Sequence, residues 1–326
     1  MLGLHVASVL AQEGQSVVSY STSGRPPFAE LVLGEYQALV KFVQGDILDF
    51  DHLRNTAEKW KVDGIIHAAA MTPEATARAR PHQTICVNVA GTANVLEVAR
   101  VRKVRRVVYV GSASEYGRRS DLQPIGEDEI NVQGLYAETK HIGFRLSERY
   151  REFFGLSVLS VRVSSVYCPN TRFSELKRLV GNTLVAYLCR AAAFSETVTV
   201  RSGRDYPRDW TYARDAAKGI CLAYNASSPR HNVYNIASGS HHAIAELIDT
   251  IREIEPNANV QLAVGAGLDD AAHERNLRGP LDISRARQDL GYAPSYTLAE
   301  GLREFIEWWR HVGPMREPPG MPQRRV

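Results

Sequence analysis

The first half of the chain alternates short β-branched runs with longer amphipathic ones, and this restricts it to a parallel sheet with helices crossing between strands. Strand-like stretches fall at 16–21, 40–44, 64–67, 107–111 and 157–163. Helical periodicity fills the intervals at 4–13, 52–59, 84–102 and 135–154, the last closed by Gly155 as a C-cap. The predicted fold is α/β, a doubly wound parallel sheet over residues 1–166. After about 167 the regularity breaks into short apolar runs and long polar connections, so 167–312 is expected to form a smaller mixed lobe. Within it, 214–238 reads as one more helix and strand returning to the sheet, and the proline-rich 313–326 reads as an extended tail.

Composition narrows the classes of function. With 326 residues, 44% of them hydrophobic and a formal charge of only +3, the chain has enough apolar material for a large core and no general attraction to polyanions. The one dense basic run, from Arg100 to Arg106, ends a helical pattern and suits the negative end of a helix dipole, so no nucleic-acid partner is expected. Cys86, Cys168, Cys189 and Cys221 are scattered, without the spacing of a zinc site or the density of a disulfide scaffold. His241-His242 has no second ligand cluster near it in sequence, and no metal is expected. No run is long enough to span a membrane and no secretory leader is evident, which together predict a cytoplasmic protein.

The chemistry centres on Tyr136 and Lys140, four residues apart and therefore on one helical face. A phenol titrating near ~10 is a poor acid or base at neutral pH, and a neighbouring ammonium favours its ionised form. Upstream, the apolar strand 107–111 runs into a hydroxyl-rich loop containing Ser112 and Ser114, at the strand end where open α/β sheets place ligands. There Ser112 could donate to the same substrate oxygen whose proton Tyr136 moves.

Together with several ordered pieces, these residues resemble the extended short-chain dehydrogenase/reductase superfamily, also called the NAD-dependent epimerase/dehydratase family. The matching pieces are Gly45-Asp46-Ile47, Asp63 to Ala70, Val87-Asn88-Val89-Ala90-Gly91-Thr92, Tyr167-Cys168-Pro169, Arg208-Asp209-Trp210-Thr211-Tyr212, Tyr234 to Gly239, and Asp282 to Ala286 with Leu290 to Pro294. The resemblance covers nearly the whole chain and implies a Rossmann-type sheet that binds NAD or NADP. It implies Ser112, Tyr136 and Lys140 as catalytic residues, Lys140 both holding the nicotinamide ribose and lowering the tyrosine pKa. Asp46 and Ile47 would meet the adenine, Ala68, Ala69 and Ala70 would pass close to the cofactor, and Asn88 would support the site. Read from the residues alone, Asp46 could equally cap the following helix. The resemblance also implies a homodimer built from the helix bearing Tyr136 and the one around 94–100, with Val95, Leu96, Val98, Ile142 and Leu146 as apolar positions.

Three departures bear on ligand choice. Where an NAD-preferring member carries an acid for the ribose hydroxyls, this chain has Ser21, and with Thr22 and Arg25 beside it the set favours the 2′-phosphate of NADP. Ala113 and Ser114 stand where sugar 4,6-dehydratases have an Asp-Glu pair, and Glu115 is one residue out of register, so dehydration is disfavoured. In the segment where nucleotide-sugar epimerases use Asn, this chain has Ser164 and Ser165. Arg208 stands where a diphosphate-binding arginine is expected, its alternative being a salt bridge to Asp209 or Asp215. The substrate is thus expected to be a nucleotide-sugar or sugar-like small molecule. An NDP-sugar epimerase is the leading reading, and a dehydrogenase or reductase of a free sugar or sugar acid is the alternative.

Gly3 opens a further question. It reads as the third glycine of a nucleotide-binding turn, whose first two glycines and preceding strand lie outside the given sequence. A start codon assigned too late is the favoured explanation. A truly truncated chain would instead be a cofactor-free pseudoenzyme acting as an interaction protein.

Overall fold

A computed structural model describes residues 2–26, 28–169, 182–201, 203–263 and 277–313. Its elements follow in chain order. They begin with α1 (Leu2–Gln12), β1 (Val17–Ser21), α2 (Ala29–Leu33), β2 (Val40–Gln44), α3 (Phe50–Lys59), β3 (Gly64–His67), α4 (Glu74–Ala79) and α5 (Pro81–Ile85). Then come α6 (Gly91–Arg102), β4 (Arg106–Ser112), α7 (Leu135–Phe154), β5 (Val158–Val163), β6 (Ser165–Tyr167), α8 (Asn182–Ala193), β7 (Val198–Val200), β8 (Pro207–Arg208) and β9 (Trp210–Tyr212). The last are α9 (Ala213–Asn225), β10 (Val233–Ile236), β11 (His242–Ala243), α10 (Ile244–Ile254), β12 (Val260–Leu262), α11 (Ser284–Leu290) and α12 (Leu298–Val312).

The central sheet is parallel throughout, in the order β3-β4-β5-β10. Its strands carry continuous apolar runs such as Val107-Val108-Tyr109-Val110, all buried, because helices cover both faces. On one face α1, α9 and α11 pack through Val6, Leu10, Ile220 and Ala286. On the other, α6 and α7 pack against β4 and β5 through Leu96, Ala99, Tyr109 and Val158. This is the doubly wound arrangement. β1 and β2 pair in parallel as a separate two-stranded sheet, which packs on α1 and α2 around Leu4, Leu33 and Val40.

No pairing joins β1 to β3 among the described residues, so each presents one unpaired edge. Gly3 lies exposed in the first turn of α1, and a Cβ there would meet nothing within 4 Å.

A second apolar cluster, around Leu188, Trp210, Ile248, Phe305 and Trp309, gathers α8, α10, α12 and the short strands β7, β9 and β12. β9 is tied back to the sheet's end through β6, whose Ser165, Val166 and Tyr167 face Trp210, Thr211 and Tyr212. The expected tail beyond Gly313 lies outside the described residues.

Helix limits differ from the sequence reading at two places. The span 84–102 is not one regular α-helix: a π-helical segment over Cys86–Ala90 separates α5 from α6. One such wide turn rotates the following side chains relative to a regular helix, and it is here that Asn88 is turned into the interior. The cap of α3 is Asp49, whose side chain accepts from the His52 N–H at 2.9 Å. Asp46 instead accepts from the Leu48 N–H at 2.9 Å, closing a turn before that helix.

Candidate active site

Ser112 is the last residue of β4, and the chain turns sharply there into a 3₁₀ segment over Ala113–Tyr116. Its hydroxyl oxygen accepts from the Ser114 N–H at 3.2 Å and from the Ser114 hydroxyl at 3.0 Å. Those two bonds aim the serine at the carboxyl ends of the strands. Across from it, the Tyr136 phenol lies close enough to the Ser112 side chain for the two to interact.

Tyr136 is positioned by a residue far away in sequence. Both Glu74 carboxylate oxygens accept from the start of α7, from the Leu135 N–H at 3.2 Å and the Tyr136 N–H at 2.8 Å. The bare helix end is thus capped by an anion, which also opposes its dipole. Gly134 allows this approach: it adopts φ 100° and a Cβ there would lie 2.8 Å from the Glu74 carboxylate. About two turns later, α7 lies so close to β4 that a Cβ at Gly143 would run into the Tyr109 hydroxyl.

Lys140 is 4% exposed, and its ammonium donates to the Val110 carbonyl at 2.6 Å while lying 5.1 Å from the Tyr109 ring centre. Burial lowers its pKa to about 8, with the Glu115 charge acting in the opposite direction. Burial likewise pushes the Tyr136 phenol up to about 12, and Glu115 raises it further while the Ser112 side chain pulls it down. The depressed phenol pKa expected from Lys140 is therefore not found. Desolvation dominates the phenol, and the ammonium is directed at the Val110 carbonyl instead.

Asn88 is 2% exposed and fully engaged within the protein. Its carbonyl oxygen accepts from the Met71 N–H at 2.7 Å, and its amide donates to the Met71 carbonyl at 3.1 Å and to Thr139 Oγ1 at 2.9 Å. It clips Met71, which follows the Ala68-Ala69-Ala70 segment, to the helix of Tyr136.

In the separate β1–β2 sheet, Ser21 donates to the Gly24 carbonyl at 3.2 Å, the exposed Thr22 accepts through its carbonyl from Gln44, and Asp46 is exposed. Arg25 lies beside them but pairs with Glu30 at 3.4 Å and stacks over Phe42. The Ile47 side chain is buried against Gly91, and its carbonyl accepts from Asn94 at 2.9 Å.

Among the described residues Arg208 has no acid partner. Asp209 accepts from Thr211, Ser238 and the Leu281 N–H, and Asp215 accepts from Ser295 and Tyr296. The guanidinium lies over Tyr206 and Trp210 at 5.1 and 5.6 Å, donates to the Ser165 hydroxyl at 3.4 Å, and leaves its buried Nε unpaired. Ser164 donates to the Asp209 carbonyl at 3.0 Å. Beside Arg208 stands Arg278, which sequence reasoning missed. It donates to the carbonyls of Ala113 at 2.7 Å and Gly117 at 3.2 Å, and burial lowers its pKa to about 10, with Arg208 adding to the effect. Two half-buried cations thus stand side by side, and among the described residues neither is ion-paired with a carboxylate, an arrangement suited to an anion.

Among the described residues no group of three or more His, Cys, Asp or Glu could hold a metal ion, and His242 pairs with Glu246. No described helix is long and apolar enough to cross a membrane.

A parallel doubly wound sheet with a serine at one strand end and a Tyr-Lys pair on the adjacent helix defines a nucleotide-dependent enzyme of the short-chain dehydrogenase/reductase class. The family model described as NAD dependent epimerase/dehydratase family matches residues 1–237, and the chain belongs to that family. Among curated relatives, UDP-glucuronate 4-epimerase 6 of Arabidopsis thaliana is 26% identical over 94% of this chain and 69% of its own. UDP-glucose 4-epimerase of Mycolicibacterium smegmatis is 26% identical over 95% of this chain and 96% of its own. The fold is also that of the UDP-glucose 4-epimerase of Thermotoga maritima solved with UDP-glucose, with TM-score 0.80, 22% identity and 96% of each chain covered.

Proposed function

We propose that the protein is an NAD(P)-dependent nucleotide-sugar epimerase that inverts C4 of a UDP-hexose or UDP-hexuronate. The observation that carries this reading is that Ser112 at the end of β4 stands beside Tyr136, with Lys140 one turn along the same helix, near Arg208 and Arg278, which have no acid partner among the described residues. The 4-epimerase relatives supply the class of substrate.

The residues fit a nicotinamide cofactor. The small side chains of Ala68, Ala69 and Ala70 line the strand end, and Asn88 holds the next residue, Met71, against the helix carrying Tyr136 and Lys140. The first-turn N–H groups of α1 suit a pyrophosphate. Ser21, Thr22, Arg25, Asp46 and the Ile47 backbone would hold the adenosine end, and the lack of an acid at Ser21 favours NADP. When bound, the nicotinamide supplies a reversible hydride acceptor at the carbinol carbon.

The protein's own part is proton transfer and charge. Ser112 orients the substrate oxygen by donating to it, and Tyr136 takes the hydroxyl proton and later returns it. The lysine ammonium would stabilise the phenolate that takes the proton and is re-formed when the proton is returned. Arg208 and Arg278 would hold the substrate diphosphate, with Ser164, Ser165 and Ser114 lining the sugar side. On this reading the sheet with α9 and β10 is the cofactor half, and the second apolar cluster supports the sugar-nucleotide half.

A homodimer through α6 and α7 belongs to the same proposal. The expected contacts Val95, Leu96 and Val98 are instead at most 3% exposed within the chain itself. The outward apolar residues on this side are Ile85, Val101, Phe153 and Phe154, which are 45 to 66% exposed.

The test is incubation of UDP-glucose and UDP-glucuronate with the protein and NAD or NADP, followed by proton NMR. Appearance of the C4 epimer without net cofactor reduction supports the proposal. Stoichiometric reduced cofactor would support the dehydrogenase reading, and no cofactor binding the non-enzymatic one.

A further inference from the structure

Glu115 lies under the catalytic turn, fully buried, and the proton-transfer scheme above does not use it. One carboxylate oxygen accepts from the Ser112 N–H at 3.2 Å, and the same oxygen would stand 2.9 Å from a Cβ at Gly111, so the strand end is shaped around it. The other oxygen ion-pairs with Arg162 Nε at 3.2 Å and meets His141 Nδ1 at 3.3 Å. Arg162 is 1% exposed on β5, sandwiched between the rings of Tyr116 and Phe144 and donating to the Glu127 carbonyl at 2.7 Å. The carboxylate therefore has little freedom to move. His141 follows Lys140 on α7, so contact with it brings the negative charge against the helix turn that carries the lysine.

We infer that Glu115 is a positioning residue of the catalytic site: held by Arg162, it fixes the backbone of Ser112 and presents a negative charge to Tyr136 and Lys140. The inference rests on the reading of Ser112, Tyr136 and Lys140 as the reacting centre. Its physical effect has one sign on both partners. A nearby anion favours the ammonium over the amine and disfavours the phenolate, so it raises the pKa of lysine and tyrosine alike. Glu115 thus opposes the desolvation that would otherwise leave Lys140 neutral. The other groups facing Lys140 are Tyr109 from β4, His67 from β3 and Tyr136 on its own helix, while Tyr136 faces Ser112 and Tyr109. Arg162 and His141 face the carboxylate itself.

Glu115→Gln keeps the acceptor for the Ser112 N–H and removes the charge. Because it leaves Arg162 unpaired, the double variant Glu115→Gln/Arg162→Met is made alongside it, with circular dichroism to check the fold. Lys140 is titrated in the full chain by NMR of lysine labelled with ¹³C at Cε, assigned with Lys140→Arg. In both variants the Lys140 midpoint is expected to fall by about one pH unit. The pH profile of C4 inversion is expected to move to lower pH, with kcat down about tenfold and KM unchanged. An unmoved Lys140 midpoint, or a rate scaled evenly at every pH, would overturn the inference. A Lys140 midpoint that moves in a wild-type background without epimerase activity supports Glu115 as the charge acting on Lys140 and refutes only the reaction assigned to the site.

Discussion

The ammonium of Lys140 donates to the Val110 carbonyl at 2.6 Å, which ties the lysine to the strand ending at Ser112. A charge held there titrates early, since burial lowers its pKa to about 8. Below that value the ammonium is present and supports the Tyr136 phenolate; above it the amine gives no support. Turnover is therefore expected to fall as pH rises through about 8. Lys140→Met should remove this limb and lower kcat about a hundredfold, as pH-rate profiles of both proteins would show.

Asn88 supports the site without facing a ligand. Asn88→Ala leaves the Met71 N–H, the Met71 carbonyl and Thr139 with one partner fewer, and each unsatisfied buried group costs about 1–3 kcal/mol. Thermal melting should drop by several degrees. Cofactor affinity measured by calorimetry should fall as well, because the Ala68 to Met71 segment loses its anchor to α7.

The arginine pair predicts opposite effects on stability and binding. Arg208→Met removes a half-buried charge that has no acid partner among the described residues and keeps much of the contact with Tyr206 and Trp210. The melting temperature is expected to stay level or rise, while UDP binding weakens about tenfold or more. Arg278→Met should weaken UDP binding too, and also lower kcat, because Arg278 holds the carbonyls of Ala113 and Gly117 beside Ser112.

Cofactor choice should respond to a residue next to the phosphate-facing set. Glu30 pairs with Arg25 at 3.4 Å in an exposed position. Glu30→Gln removes a negative charge and releases Arg25, so the ratio of NADP to NAD affinity is expected to rise several-fold at low salt. Fluorescence titration with both cofactors at two ionic strengths measures it.

Residues whose roles depend on local pattern were legible in the sequence. Tyr136 and Lys140 share a helix face through their spacing, and Ser112 ends an apolar strand, so periodicity placed all three. Glu74 and Asn88 act across 61 and 51 positions of sequence, on Leu135 and Thr139 respectively. No local pattern encodes such pairings. The same holds for Arg278, which reaches back to Ala113, and for Glu115, whose single-residue offset showed only that it avoids the substrate side. Val95, Leu96 and Val98 were ambiguous because an apolar helix position serves a core or an interface equally well, and here the core takes them.

The central claim is tested most directly by UDP-glucuronate carrying deuterium at C4, incubated with the protein and its oxidised cofactor and followed by NMR and absorbance at 340 nm. The account expects UDP-galacturonate with the label kept at C4, no lasting rise in absorbance, and loss of turnover by at least about a hundredfold in Tyr136→Phe. Loss of the label to water, stoichiometric reduced cofactor, or full activity in Tyr136→Phe would contradict it.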